Sequence, residues 1–145
     1  MKKIILILFI TMNSFCNATE FLIDGTGKAE MVGITFNDKS MYRTYKSNGH
    51  WKASSGDYGL SECFGTVRNH NNNKVDFEVY CKLIAQDKEH FIMKFVTKRD
   101  DQESGIGQAT IVETSKKYKF LLNAKCNHAI TYIELDYFTI QKCNF

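Results

Sequence analysis

The stretch GHWKASSGDYGLSECFG, residues 49–65, contains the single tryptophan of the chain, Trp51, and four of its nine glycines. Its two ends have the composition of β-strands, and its middle, rich in glycine and serine, is typical of a turn between strands. Trp51 and Tyr58 are large rings that need a protein core or a ligand to cover them. We therefore predict a strand–turn–strand unit here, around which the rest of the chain is organised.

Apolar and polar residues alternate along most of the chain, and this is the period of a half-buried β-strand. The clearest example has apolar side chains at every second position: Val75, Phe77, Val79, Cys81 and Leu83. Further strands are expected at 28–36, 41–46, 91–96, 105–113 and 118–122. Strands joined mostly by short turns at this spacing indicate an antiparallel sandwich or barrel. We predict an all-β fold, a single antiparallel up-and-down β-barrel of about eight strands that fills itself or holds one small ligand.

The N-terminal residues predict export. Two lysines precede an apolar run over 4–12, and residues 16–18 (Cys-Asn-Ala) supply the small side chains that a signal peptidase reads. The run is too short to anchor the chain in a bilayer. We expect a signal peptide over 1–18 and a single β-barrel domain over 19–145, periplasmic or secreted. A lipoprotein signal at the cysteine is the alternative, and Phe15 directly before that cysteine argues against it.

Charge and motifs restrict the partners. Loss of the two lysines of the signal lowers the net charge from +3 to +1. The sequence therefore lacks the excess of positive charge that is typical of nucleic-acid-binding proteins. No later apolar run is long enough for a stable membrane span. The charged loop over 99–104 lacks the ligand spacing of an EF-hand, and the cysteines and histidines lack zinc-finger spacing. We expect neither a metal nor a cofactor.

Four of the five cysteines remain after removal of the signal, and an even number in an exported chain indicates two disulfides. Cys63 and Cys81 are equidistant from Asn72, so a hairpin centred there places them opposite each other. Cys126 and Cys143 are likewise equidistant from the bond between residues 134 and 135. We predict the pairs Cys63–Cys81 and Cys126–Cys143, with a turn at 134–136.

No catalytic constellation is recognisable. The four histidines are scattered, lie near strand ends or turns and are expected on the surface: His50, His70, His90 and His128. The sequence contains no nucleophile elbow, no zinc-protease motif and no phosphate loop. These observations favour a protein without catalytic residues.

Two short motifs resemble those of known barrels. Gly49-His50-Trp51 resembles the Gly-x-Trp that opens lipocalin and avidin barrels of the calycin group. Gly105-Ile106-Gly107, followed by TSKKY at 114–118, is similar to the glycine-rich strand and turn of allene-oxide-cyclase-like and dirigent-like barrels, although two glycines of that turn are absent. The whole pattern most resembles small exported bacterial proteins of unassigned function. The resemblance implies a β-barrel fold and an exported compartment, and it carries over no catalytic residue.

Three functions follow as hypotheses. The first is a calycin-like binding module that holds a small apolar or amphipathic ligand near Trp51, with Tyr58, Phe77 and Phe95 as further ligand-binding residues. In the alternative, Trp51 instead plugs the barrel end as part of the core. The second is a periplasmic inhibitor or interaction protein that binds a protein target through an exposed loop such as 99–104. The third is an isomerase of the allene-oxide-cyclase kind.

Overall fold

A computed structural model of the chain describes residues 20–72, 74–99 and 105–145, which form a closed antiparallel barrel of eight strands in sequential order. The strands are β1 (Glu20–Thr35), β2 (Met41–Ala53), β3 (Tyr58–Asn69), β4 (Val75–Ala85), β5 (His90–Arg99), β6 (Gly105–Thr114), β7 (Lys125–Ile133) and β8 (Asp136–Asn144). The predicted signal peptide and most of the charged loop lie outside this part of the chain. The all-β barrel predicted from the sequence is confirmed.

Alternation decides which side chains fill the barrel. In β2, Tyr45, Ser47 and Trp51 are buried, whereas Lys46 and His50 between them are exposed. Since successive side chains of a strand point to opposite faces, one inward residue sets the direction of every second neighbour. The inward residues of all eight strands thus form one continuous core.

Three hairpins, β1–β2, β2–β3 and β4–β5, use the same five-residue turn. In the second, the amide of Ala53 donates to Asp57 O at 2.8 Å, and that of Gly56 donates to Ala53 O at 3.0 Å. The fourth residue of each turn has positive φ: Lys39, Gly56 and Lys88. This is the hairpin connection in which a type I turn is followed by a left-handed residue, and it needs no proline, which the chain lacks.

The two ends of the barrel differ. At one end, here the closed end, the β2–β3 and β4–β5 turns surround a short 3₁₀-helix, Lys116–Leu121, between β6 and β7. Tyr118 and Leu121 of this helix are fully buried, and the Tyr118 ring lies edge-on to Phe91 with centroids 5.0 Å apart. At the other end, here the open end, lie the β1–β2, β3–β4 and β7–β8 turns. In the part of the chain described, no helix is long and apolar enough to cross a membrane.

The 3₁₀-helix corrects the strand expected at 118–122. Its buried residues, Tyr118 and Leu121, are three positions apart, which matches the three residues per turn of a 3₁₀-helix and places both on one side. The alternation of Tyr118, Phe120 and Leu122 suggested a strand, but Phe120 is half exposed. The segment therefore covers the end of the barrel instead of extending its wall.

Lys117 joins this helix to the two neighbouring turns. Its Nζ lies 2.6 Å from Asp57 Oδ1 and 2.6 Å from Asp87 Oδ2. The ammonium donates a hydrogen bond to each carboxylate, and these bonds, first the one to Asp57 and then the one to Asp87, raise the pKa of Lys117. The hydrogen bond from Lys117 lowers the pKa of Asp87. Burial would raise the pKa of Asp57, but hydrogen bonds, chiefly the one from Lys117, outweigh burial and the pKa of Asp57 is also lowered. One ammonium thus holds three segments of the closed end together.

Both predicted disulfides are confirmed. Cys63 and Cys81 are direct partners in the β3–β4 ladder, with Cα atoms 4.0 Å apart. Cys126 and Cys143 are partners in the β7–β8 ladder, with Cα atoms 3.9 Å apart. The turns predicted at Asn72 and at 134–136 are the ones that bring each pair together. All four cysteines point into the barrel.

Candidate functional site

The barrel encloses a cavity of about 480 Å³, lined by residues of seven of its eight strands. Its apolar lining includes Ile23, Met31, Trp51, Val67, Val75, Phe77, Val79, Leu83, Phe95 and Ile130, together with Cys63 and Cys81. Its polar lining includes Arg43, Tyr45, Ser47, Ser61, Asn69, His128, Tyr132, Glu134, Tyr137, Thr139 and Gln141. The barrel is therefore not filled by its own side chains, and the space it leaves has both apolar and polar walls.

The cavity ends at Trp51 on one side and reaches the open end on the other. Trp51 packs edge-on against Phe91, with ring centroids 5.5 Å apart, and Phe91 packs on Tyr118. Neither of these two rings lines the cavity, so Trp51 separates it from the core of the closed end. At the open end the lining includes Met31 and Glu134, whose side chains are exposed.

Trp51 combines the two roles that the sequence left open. It is 4% exposed, and its indole N–H donates to Leu60 O at 3.1 Å and to Ile84 O at 3.3 Å. Two backbone carbonyls thus satisfy the indole, as core packing requires. The same ring lines the cavity. Trp51 is a core residue and also the inner wall of the site.

Of the other three aromatic residues named from the sequence, two line the cavity and one does not. Phe77 and Phe95 line it, and Phe77 packs edge-on against Tyr45 at 5.6 Å. Tyr58 is 60% exposed, because it is the first residue of β3 and stands out of phase with the inward residues Ser61 and Cys63. The structure thus corrects the placement of Tyr58 at the cavity: its ring lies on the outside of the barrel.

The polar groups near the open end were not singled out from the sequence. Arg43 is half-buried, and its Nη2 donates to Asn69 Oδ1 at 2.7 Å. Asn69 is only 2% exposed. The sequence does contain a signal for both. Arg43 is eight positions from Trp51 in one strand and Asn69 is six positions from Cys63 in another, so each points to the same side as its inward partner.

His128 corrects the expectation that every histidine lies on the surface. It is 5% exposed, lines the cavity and packs edge-on against Phe95 at 5.0 Å. It stands opposite Gln141, also 5% exposed, in the β7–β8 ladder. Since Cys126 had to point inward to meet Cys143, period two placed His128 inward as well.

Three tyrosines line the cavity: Tyr45, Tyr132 and Tyr137. Burial raises the pKa of Tyr45, so its phenol is neutral at physiological pH. The hydroxyl of Tyr137 lies 3.3 Å from Ser61 Oγ, which joins β8 to β3 across the interior. Within residues 20–72, 74–99 and 105–145, no three metal-ligating side chains are grouped as a metal site would require.

Comparisons with known proteins give information on the fold alone. No protein-family model matches the chain, and no curated protein matches it. Among solved structures, the chain is similar to a protein of unknown function from Clostridium acetobutylicum ATCC 824, with a TM-score of 0.71 and 10% sequence identity. The match covers 86% of this chain and 98% of that one. At this identity the likeness shows a common barrel architecture and carries no activity across.

Proposed function

We propose that the protein is an exported binding module whose barrel holds one small ligand with a largely apolar body. The observation that carries the proposal is the interior cavity of about 480 Å³, which extends from Trp51 to the open end. Its size falls within the range of about 300–1,000 Å³ that is typical of small-molecule sites. Apolar atoms form most of the surface of the cavity wall, which is also usual for such sites.

Export is part of the same proposal. Two disulfides are typical of proteins that reside in an oxidising compartment, and the N-terminal sequence has the three parts of a secretory signal. Sequencing of the mature protein should begin at Thr19. A mature chain that begins at a lipid-modified Cys16 would contradict a soluble exported module.

Ligand binding can be tested with a neutral solvatochromic dye such as Nile red and a matched pair of variants in β3. Val67 is buried and lines the cavity, whereas its neighbour Thr66 is exposed on the outside. Val67→Phe should fill part of the cavity and weaken dye binding, and Thr66→Phe should leave it unchanged. Equal binding by both variants, or no saturable binding by the wild type, would contradict the proposal.

Native mass spectrometry of protein purified from its host gives a second test, because a retained ligand adds its mass to the folded protein. Recovery of that ligand unchanged after prolonged incubation would favour binding. Conversion of the ligand would instead favour the isomerase hypothesis, for which the buried polar side chains of the cavity, such as His128 and Gln141, are the candidate groups.

A second candidate function, that of an interaction protein, is favoured by an apolar outer surface. Ile106, Ala129 and Ile140 are in register across β6, β7 and β8, and all three point outward. Ile106 is 80% exposed and Ile140 is 59% exposed. Exposed apolar groups next to each other are typical of surfaces that bind another protein. Replacement of Ile106 and Ile140 by Thr should abolish a protein complex without changing dye binding in the cavity.

A further inference from the structure

The first strand runs past one of its two neighbours at the open end of the barrel. β8 begins at Asp136, which stands opposite Lys28, whereas β1 continues to Thr35 and pairs there with β2 alone. Residues 31–35, here the free edge, therefore have a ladder partner on one side only, among the residues that the structure describes.

The hydrogen bonds on either side of the free edge show which of its backbone groups are presented. In an antiparallel ladder, successive residues direct their N–H and C=O groups alternately to the two sides of the strand. The amide of Ala29 faces β8 and donates to Leu135 O at 2.8 Å, whereas that of Phe36 faces β2 and donates to Ser40 O at 2.9 Å. The odd-numbered residues of the free edge therefore direct their N–H and C=O groups away from β2.

The free edge lacks the features that usually protect the edge of a sheet. Natural edges carry lysine, proline or a bulge that keeps other strands from pairing with them. The sequence of the free edge, Met-Val-Gly-Ile-Thr, contains no charge and no proline, and its pairing with β2 contains no bulge. Two of its side chains are apolar and point outward, with Val32 74% exposed and Ile34 59% exposed. Such an edge is suited to bind a further strand.

A second copy of this chain fits the free edge. Antiparallel pairing about a twofold axis at Gly33 places its N–H and C=O groups opposite those of Gly33 in the second copy, and those of Met31 opposite those of Thr35. Val32 then lies opposite Ile34 of the second copy, as a cross-strand pair of β-branched side chains. All three outward N–H groups gain an acceptor and no charge enters the pairing. This self-complementarity favours a copy of the chain over a strand of unrelated sequence.

We propose that the protein forms a homodimer in which the free edges of two copies pair as antiparallel strands about a twofold axis at Gly33. This inference goes beyond the proposed function and uses a different surface from the outward residues of β6, β7 and β8. Because Met31 also lines the open end of the cavity, the second copy lies beside the opening.

Disulfide trapping tests the register of this pairing. A mixture of Val32→Cys and Ile34→Cys chains should form a linked dimer, since residues directly opposite in a non-hydrogen-bonded pair have Cα atoms about 4.5 Å apart. Either variant alone should stay largely unlinked, because its two cysteines would lie on a diagonal of about 7–8 Å, which is too long for a disulfide. The wild type, oxidised in the same way, controls for the native cysteines.

Thr44→Cys is the matched control for the position of the introduced thiol. Thr44 stands opposite Val32 in β2 and is also exposed, but it does not belong to the free edge. Mixed with Ile34→Cys, it should give no linked dimer. Equal linkage in this control mixture, or linkage of either edge variant with itself as efficient as that of the mixture, would overturn the proposed pairing.

Sedimentation velocity over a concentration series measures the dimer without introduced thiols. An interface built on one short edge belongs to the small class of under about 1,200 Å², so the dimer should dissociate on dilution. Thr35→Pro removes an N–H that faces away from β2, so it leaves the β1–β2 ladder intact. It removes two hydrogen bonds from the dimer and should weaken association by about tenfold or more. A wild type that stays monomeric up to about 1 mM, or a Thr35→Pro variant that dimerises like the wild type, would overturn the homodimer.

Discussion

The hydroxyl of Tyr137 occupies the space that a β-carbon on Gly49 would need. A side chain at position 49 would meet that hydroxyl and also the backbone oxygen of Thr26 on the neighbouring strand. Gly49 lies in β2 directly opposite Gly27 of β1, and Gly27 lies opposite Tyr137 of β8. Glycines at 27 and 49 thus make room for the Tyr137 ring to extend across the barrel to Ser61. This packing explains the glycine of the Gly-x-Trp motif.

Gly49→Ala should destabilise the protein by about 1–3 kcal/mol, the usual cost of overpacking a core. The obstacle includes backbone, so rotation of a side chain cannot remove it. Urea unfolding measures the change. Gly25→Ala is a suitable control because the added carbon would meet chiefly the terminal methyl of Thr139, which can move, and its cost should be smaller. Equal stability of Gly49→Ala and the wild type would contradict this account of position 49.

Trp51→Ala should cost about 3–5 kcal/mol of unfolding free energy, as expected for removal of a large buried aromatic side chain. The reasons are its burial, its contact with Phe91 and the two backbone carbonyls that would lose their indole donor. Trp51→Phe keeps a ring and should cost less. A small loss in Trp51→Ala, measured by urea unfolding, would show that Trp51 is a cavity wall with little part in the core.

The two disulfides should contribute similarly to stability but differently to binding. Each closes a loop of similar length, 18 and 17 residues in sequence separation, so removal of either should cost about 3 kcal/mol in the chain-entropy model. Cys63 and Cys81 line the cavity, whereas Cys126 and Cys143 do not. Replacement of the first pair by Ala should therefore change the affinity for Nile red, and replacement of the second should not. Dye titration at a temperature where both variants are folded checks this, and equal effects on binding would contradict it.

The barrel and its disulfides could be predicted because both depend on local sequence pattern. Period two defined most of the strands, and the equal distances of Cys63 and Cys81 from Asn72 defined their register. The 3₁₀-helix was missed because Tyr118, Phe120 and Leu122 also alternate. Only packing against Phe91 and the ion pairs of Lys117 distinguish a cover for the barrel end from another strand.

The site was predicted only in part, for a related reason. The sequence identified large rings, and three of them line the cavity. A polar side chain that points inward cannot be distinguished by residue type from an exposed one until the phase of its strand is known. Arg43, Asn69 and His128 belong to this group. The phase was available from Trp51, Cys63 and Cys126, whose inward direction follows from size or from a disulfide. The size of the cavity depends on how all eight strands pack together. No single stretch of sequence therefore predicts it.

Lys117 should make stability depend on pH at both extremes. The pKa values of Asp57 and Asp87 are lowered in the folded state, so their contribution is present above the unfolded value of about 3.9 and is lost as the pH falls through the folded values. The pKa of Lys117 is raised, so its contribution is fully present below about 10.4 and is lost as the pH rises through the folded value. Lys117→Met should lower the urea midpoint at pH 7, and its difference from the wild type should disappear as the pH falls through the folded pKa values of the two aspartates. Lys116→Met, at the adjacent exposed position, is the control and should follow the wild type at every pH. A difference between wild type and Lys117→Met that persisted unchanged at pH 2 would show that the lysine acts through its ammonium over the Tyr118 ring and not through the two carboxylates.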